Sequence, residues 1–420
     1  MSLHSIRASL LAFVSAILVA ACGGSSTSNT PAPPVGGIGV IAGDSQVTVS
    51  WKETPGVEYW IFAAPNNPGL TIGNWLATTG STYRLKVTSP FVVTGLTNGT
   101  PYSFFMTGRI NSGPGGDATP TVTATPRLAG TVWTPGANLN TGTKTGLTYG
   151  SYVDTATNTT KFSYLAVGNG GRMYNATSID TWSALTPVVA SDLNAAEFGF
   201  AKFMAVGAAG KIIYSTDTKT WTQAASITGQ NLNALAVNGS IAVAVGDNGT
   251  IITSKDGITW GAAASVPGSA HLNGVAYTVS GTWVAVGDAG TILTSPDGAT
   301  WTAQASNSSA NLKAVGALAS VLNGTTSYKF IAVGTYGTVL SSTDAITWTA
   351  QNANTTASLN ALSSVNQFLV VGSNGTIITS TDGITWTRQT SNTDAELKSL
   401  LRAENQYLVV NTAGGIIASK

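Results

Sequence analysis

Six times along the chain an alternating apolar run closes on Val-Gly, turns through a second glycine and resumes as another apolar run. The six copies read YLAVGNGG, FMAVGAAG, VAVGDNG, VAVGDAG, FIAVGTYG and FLVVGSNG. Upstream lies a strand start with Leu-Asn or Leu-Lys, as in LNALAV and LKAVGA. Downstream, YSTDTKTW, TSKDGITW, TSPDGATW, SSTDAITW and TSTDGITW end on Trp221, Trp260, Trp301, Trp348 and Trp386, and a degenerate copy ends on Trp182. The alternation is the two-residue period of half-buried strands. The tryptophans recur about every 40 residues, the length of one four-stranded propeller blade. One repeat therefore reads as a four-stranded meander, and the chain as all-β.

Ahead of the repeats, residues 38–127 carry a second strand pattern without periodicity. Gln46 to Trp51 alternates, and strand-like runs follow at Glu58–Ala63, Tyr83–Val87, Phe91–Thr94 and Tyr102–Arg109. Many short strands at even spacing predict a β-sandwich. VTVSW, GLTNGTPYSFFMTGRINSGPGG and TVTATP resemble a fibronectin type III domain almost end to end. The resemblance implies a core position for Trp51 and a tyrosine corner built from Leu96, Asn98, Gly99, Thr100 and Tyr102. Asn-Gly supplies the positive φ of a tight turn, and a buried tyrosine needs a backbone partner for its hydroxyl. Such domains are spacers or adhesive modules.

The first 21 residues hold Arg7 and then an apolar run from Leu10 to Ala21. That run is too short to span a bilayer and suits a secretory signal. Val19-Ala20-Ala21-Cys22 resembles a bacterial lipoprotein signal, which implies that Cys22 is acylated and opens the mature chain; the alternative is a plain signal peptide that happens to contain a cysteine. Gly23 rather than Asp after that cysteine implies the outer membrane in a Gram-negative host. Residues 22–37, rich in Gly, Ser and Pro, read as a flexible tether.

Composition narrows the function classes. Only 9% of the 420 residues are charged and the formal net charge is +1, so no basic stripe is available for nucleic acid. Cys22 is the only cysteine, which excludes a disulfide, a thiol nucleophile and a Cys-based metal site. No cofactor or metal is expected, and the protein is expected to be monomeric.

The Ser-x-Asp hairpins have a structural reading. Asp217, Asp256, Asp297, Asp344 and Asp382 are placed to accept backbone N–H groups of their own turns, while the tryptophan four residues on fills the wedge between neighbouring sheets. The element resembles the Asp-box of bacterial neuraminidase-type repeats. Together with Ala-Val-Gly-x-x-Gly it is most similar to the photosystem II assembly and stability factor propellers, over residues 129–420. The seventh copy stops at Ser419-Lys420, where its tryptophan strand is due. AGTVWTPG at 129–136 supplies that strand, so residues 128–420 are expected to form a seven-bladed propeller closed by its N-terminal strand, leaving no edge unpaired. The stretch 138–182 holds no second Val-Gly and Ser-x-Asp pair from which an eighth blade could be built.

Catalysis finds little support in the residues. A sialidase needs an arginine triad, and the repeats carry only Arg172, Arg388 and Arg402, with Arg388 on an outer strand. His271 is the mature chain's one histidine and has no Ser-His-Asp constellation around it. If the propeller has a binding site, the Val-Gly-x-x-Gly turns and blade-to-blade loops around the channel mouth are expected to carry it. That assigns Asp247, Asn248, Asp288, Tyr336, Asn374, Arg172 and Lys211 to the mouth, with Asn194, Asn233, His271, Asn273, Lys313, Asn360 and Lys398 near the inner strand starts. Asp247 and Asp288 occupy equivalent turns and could share a cation or polar ligand, or could simply be good turn residues. The arginine-rich patch that receives the client in photosystem assembly propellers is replaced by Ala, Thr, Ser and Asn.

Two functions remain. One is a non-catalytic, lipid-anchored scaffold at the cell envelope that binds a protein or polysaccharide partner, with the sandwich as spacer. The other is a glycan-processing enzyme that uses Asp247 and Asp288. The anchor is testable by itself: Cys22→Ser is expected to abolish incorporation of labelled palmitate and to move the protein from the detergent phase to the aqueous phase. Absence of label from the parent protein would identify a plain signal peptide.

Overall fold

The computed structural model describes residues 31, 33–34, 36–139 and 144–419, and the signal, Cys22 and most of the tether lie outside the described residues. The chain divides into two compact units at Leu128/Ala129.

In the first unit, Gly39–Gly43, Gln46–Ser50 and Phe91–Thr94 form one antiparallel sheet, and Thr82–Val87, Glu58–Pro65, Tyr102–Arg109 and Val122–Ala124 form another. Alternate residues of the first sheet, Val47 and Val49, meet Tyr59, Ile61, Phe104 and Met106 of the second in a single core that also takes Trp51. Burial of each such side chain stabilises the unit by about 1.5–3 kcal/mol. The Tyr102 hydroxyl accepts the Thr97 N–H at 3.2 Å, the backbone partner that a buried tyrosine requires. Tyr102–Arg109 is buried along its whole length instead of alternating. The cause is a second cluster on the sheet's other face, where Phe62 stacks on Phe105 at 4.9 Å and Trp75 packs against Phe62.

The described residues of the second unit form seven four-stranded antiparallel sheets. Six are consecutive meanders, at 144–185, 193–223, 232–262, 272–304, 312–351 and 359–389. The seventh joins Leu397–Ala403, Gln406–Asn411 and Gly415–Ser419 to Thr134–Asn138 from the start of the unit. First strands of successive sheets pack side by side, and Leu397–Ala403 of the last packs on Lys144–Asp154 of the first.

Local chemistry explains each outer hairpin. The carboxylate of Asp256 accepts the N–H groups of Ile258 and Thr259 at 2.8 and 2.7 Å, and Ser254 Oγ accepts the Gly257 N–H at 2.8 Å. The same bonds recur around Asp297 and Asp382. Asp217 and Asp344 likewise accept two backbone N–H groups each. The tryptophan that follows lies in the wedge against the preceding sheet: Trp221 on Leu165 and Val167, Trp301 on Val243 and Val245.

The seventh sheet rebuilds this hairpin from two chain segments. Ser419 Oγ accepts the Gly130 N–H at 2.8 Å, and Trp133 Nε1 donates to the Gly130 carbonyl at 3.0 Å, as Trp301 Nε1 does to Gly298 at 2.9 Å. Trp133 is 2% exposed, packed on Leu369, Val371 and Tyr407. Gln367 Nε2 donates to the Ala129 carbonyl at 2.7 Å and holds the entering segment in place.

The hairpin aspartates give stability a pH signature. Hydrogen bonds from backbone N–H groups hold Asp256 and Asp382 at about 2, against about 3.9 for an unfolded aspartate. The unfolded chain therefore binds protons first as pH falls. The stabilisation is complete above about pH 4 and is lost as pH approaches 2. The thermal midpoint is expected to drop over that window, and to drop less in an Asp256→Asn/Asp382→Asn variant; parallel curves would contradict the assignment.

Candidate functional site

Every first strand of the second unit begins with a one-residue bulge. In the second sheet Leu193 faces Gly207 and Ala195 faces Val206, which leaves Asn194 unpaired in the ladder. The same step leaves Asn233, Asn273, Lys313, Asn360 and Lys398 unpaired in the following sheets, and Thr145 in the first. A bulge re-aims the extra side chain away from the sheet's own pattern. The Val-Gly glycines make room for the backbone that leads into the bulge: a Cβ on Gly207, Gly246 or Gly287 would lie 1.9–2.1 Å from the carbonyl oxygen of Asp192, Asn231 or His271.

The bulged asparagines tie neighbouring sheets together. Asn194, Asn233 and Asn273 each donate Nδ2 to the leucine carbonyl that opens the next sheet (Leu232, Leu272 and Leu312), at 3.0 Å in each case. Asn360 does the same to Leu397 at 2.9 Å. Asn233 also donates to Asp247 at 2.9 Å, and Asn273 to Asp288 at 2.8 Å. Where lysine stands in the ring, Lys313 Nζ donates to Ser358 Oγ at 3.1 Å and Asn360 Oδ1 at 2.7 Å, and Lys398 pairs with Glu396 at 2.8 Å.

A cavity of about 350 Å³ at the mouth is lined by Asn194, Asn233, Asn273, Asp288, Asn311, Lys313, Asn360 and Lys398. A further space of about 230 Å³ continues past the same asparagines between the first strands. Burial of Lys313, aided by the nearby Lys398 charge and opposed by Glu396, lowers its pKa. For Glu396 the partial burial that favours the neutral acid is outweighed by Lys398, Asn360 and Lys313, so its pKa falls.

The mouth is smaller than the sequence suggested. Asn248, Tyr336 and Asn374 sit at the left-handed apex of their turns, with φ of 52°, 58° and 55°, and do not line the cavity. Tyr336 is 84% exposed. Arg172 and Lys211 directly follow such turns and are also off the cavity. The reason is radial: these turns join second and third strands, one strand outward from the inner strands that bound the channel.

Asp247 is off the cavity as well. Its carboxylate accepts Asn231 and Asn233 at 2.9 Å each and contacts His271 Nδ1 at 3.0 Å. Partial burial opposes its ionisation, but bonds from Asn233, His271 and Asn231 outweigh that and lower its pKa. His271 is thus a partner of Asp247, whose carboxylate is engaged by three side chains. Among the described residues no group of three or more His, Cys, Asp or Glu could hold a metal ion. Glu396 and Asn311 escaped sequence reasoning. Their signal, a polar residue two before each bulge, has meaning only once the register is known.

Residues 295–420 match the family described as DUF6242 beta propeller domain. No curated protein matches the chain. Among solved structures, YCF48 bound to D1 peptide is 18% identical with TM-score 0.54, covering 70% of this chain and 99% of that one. Virginiamycin B lyase from Staphylococcus aureus is 10% identical with TM-score 0.56, covering 69% and 99%. The WD40 beta propeller domain of Doa1 is 12% identical with TM-score 0.53, covering 69% and 97%. At these identities the likeness establishes the β-propeller fold alone.

Asn273→Ala removes the donor to both the Leu312 carbonyl and Asp288. Leaving such acceptors unsatisfied costs about 1–3 kcal/mol. Urea unfolding is expected to show that loss, while Tyr336→Ala stays within about 0.5 kcal/mol of the parent. Equal effects from the two would show that the ring bonds contribute nothing.

Proposed function

We propose that the chain is a non-catalytic, lipid-anchored cell-envelope protein. In this reading residues 129–420 are a seven-bladed propeller closed by the strand at Thr134–Asn138, and the channel-mouth face binds a protein or polysaccharide partner. Residues 38–127 serve as a fibronectin type III-like spacer above the anchored tether. The observation that carries the reading is the mouth itself, an open cavity surrounded by amide, carboxylate and ammonium groups held in fixed positions by bonds between sheets. Pre-set polar groups around a concave opening are what recognition requires. A solved propeller of this fold, YCF48, has been captured with a peptide.

The saturated, outlying Asp247 weighs against a glycan-processing enzyme, since hydrolysis of that kind needs two carboxylates facing one pocket. The test is capture from envelope extract with the full chain as bait, followed by mass spectrometry and glycan analysis. A single dominant partner is expected, retained at least tenfold less by a folded Asn233→Ala/Asp288→Ala variant. Equal retention by both forms, or none by the parent, contradicts a binding role for the mouth.

A further inference from the structure

The mouth has two chemically different halves. In the second to fourth sheets it is lined by Asn194, Asn233 and Asn273 with Asp288; in the fifth and seventh it carries Lys313 and Lys398. Both amide protons of Asn233 are committed, to Asp247 and the Leu272 carbonyl, and both of Asn273 to Asp288 and the Leu312 carbonyl. These partners can only accept, which fixes which end of each amide is nitrogen. The Oδ1 atoms of Asn194, Asn233 and Asn273 receive no donor among the described residues. Asp288 receives one side-chain bond, at Oδ1, and forms no ion pair among the described residues. Lys398 is neutralised by Glu396, whereas Lys313 is held by neutral oxygens only.

We infer that the acceptor half of the mouth takes a primary ammonium group, the head of a lysine side chain presented by the partner, with Asp288 as its counter-charge and the Asn233 and Asn273 oxygens as its remaining acceptors. This rests on the mouth being the binding face and adds the chemistry of what enters it. An ammonium offers three donors and no acceptor, which matches one unpaired carboxylate beside two amide oxygens. A neutral hydroxyl would satisfy the amides but leave the Asp288 charge unpaired in a partly enclosed space. An anionic group is repelled by Asp288 and finds acceptors where it needs donors. The Lys313 ammonium, at the start of the adjoining fifth sheet, opposes a second cation, so a single basic side chain is selected over a basic cluster.

The probe is a fluorescein-labelled Gly-Ala-Lys-Ala-Gly peptide titrated against the full chain at low salt, with norleucine or glutamate in place of lysine as comparisons. The lysine peptide is expected to bind at least tenfold more tightly than either, to weaken as salt rises, and to lose its advantage in Asp288→Asn. Tyr336→Ala, outside the cavity, is expected to leave binding unchanged. Equal binding of the lysine and norleucine peptides to the parent protein overturns the inference without reference to any variant. So does an Asp288→Asn protein that keeps the preference. Extract capture can succeed while the peptides fail, which would discard the ammonium and retain the binding face.

Discussion

A circle of sheets assembled from one chain has two ends, and each end exposes a strand edge whose N–H and C=O groups seek partners. The second unit solves this by placing Thr134–Asn138 beside Gly415–Ser419, so the first and last strands of the unit share a sheet. The join is specified by side chains as well as by the ladder. Ser419, Gly130 and Trp133 form the same serine, glycine and indole contacts that one continuous hairpin makes at Ser295, Gly298 and Trp301. Trp133 then fills the wedge against the sixth sheet, as its counterparts fill theirs.

The mouth inherits its geometry from that circle. Each bulged asparagine is aimed by its own strand but fixed by the next sheet, through the amide-to-leucine bonds at Leu232, Leu272, Leu312 and Leu397. Groups held in this way reach a ligand without first being ordered, which removes part of the entropic cost of binding. Variation around a conserved geometry then sets the chemistry. Asparagine in the second to fourth sheets presents oxygen, and lysine in the fifth and seventh presents charge. The glycine opposite the bulge is under a steric constraint, and Asn411 takes its place only in the seventh sheet, opposite Leu397.

Much of the fold was legible because it repeats. The alternation, the Val-Gly ending and the Ser-x-Asp-to-Trp interval each report a backbone requirement, and the split copy at 129–136 and 419 could be matched by its serine and tryptophan alone. The site was less legible. Asn233 and Asn273 could be placed near the inner strand starts, but the bulge that re-aims them leaves no trace in a two-residue pattern. Asn248, Tyr336 and Asn374 share the mouth's face, and radius cannot be read from face. The double-sided burial of Tyr102–Arg109 was hidden for a related reason, since Phe62, Trp75 and Phe105 come together only in three dimensions.

Hydrogen exchange on Trp133→Ala tests the dependence on closure most directly. Removal of a buried tryptophan costs about 3–5 kcal/mol. If the split hairpin holds the circle shut, the amides of Tyr164–Val167 in the first sheet and Leu408–Val410 in the seventh lose protection together. Loss of protection confined to Thr134–Asn138, with both neighbouring sheets as slow to exchange as in the parent, would show that the circle stands without its closing strand.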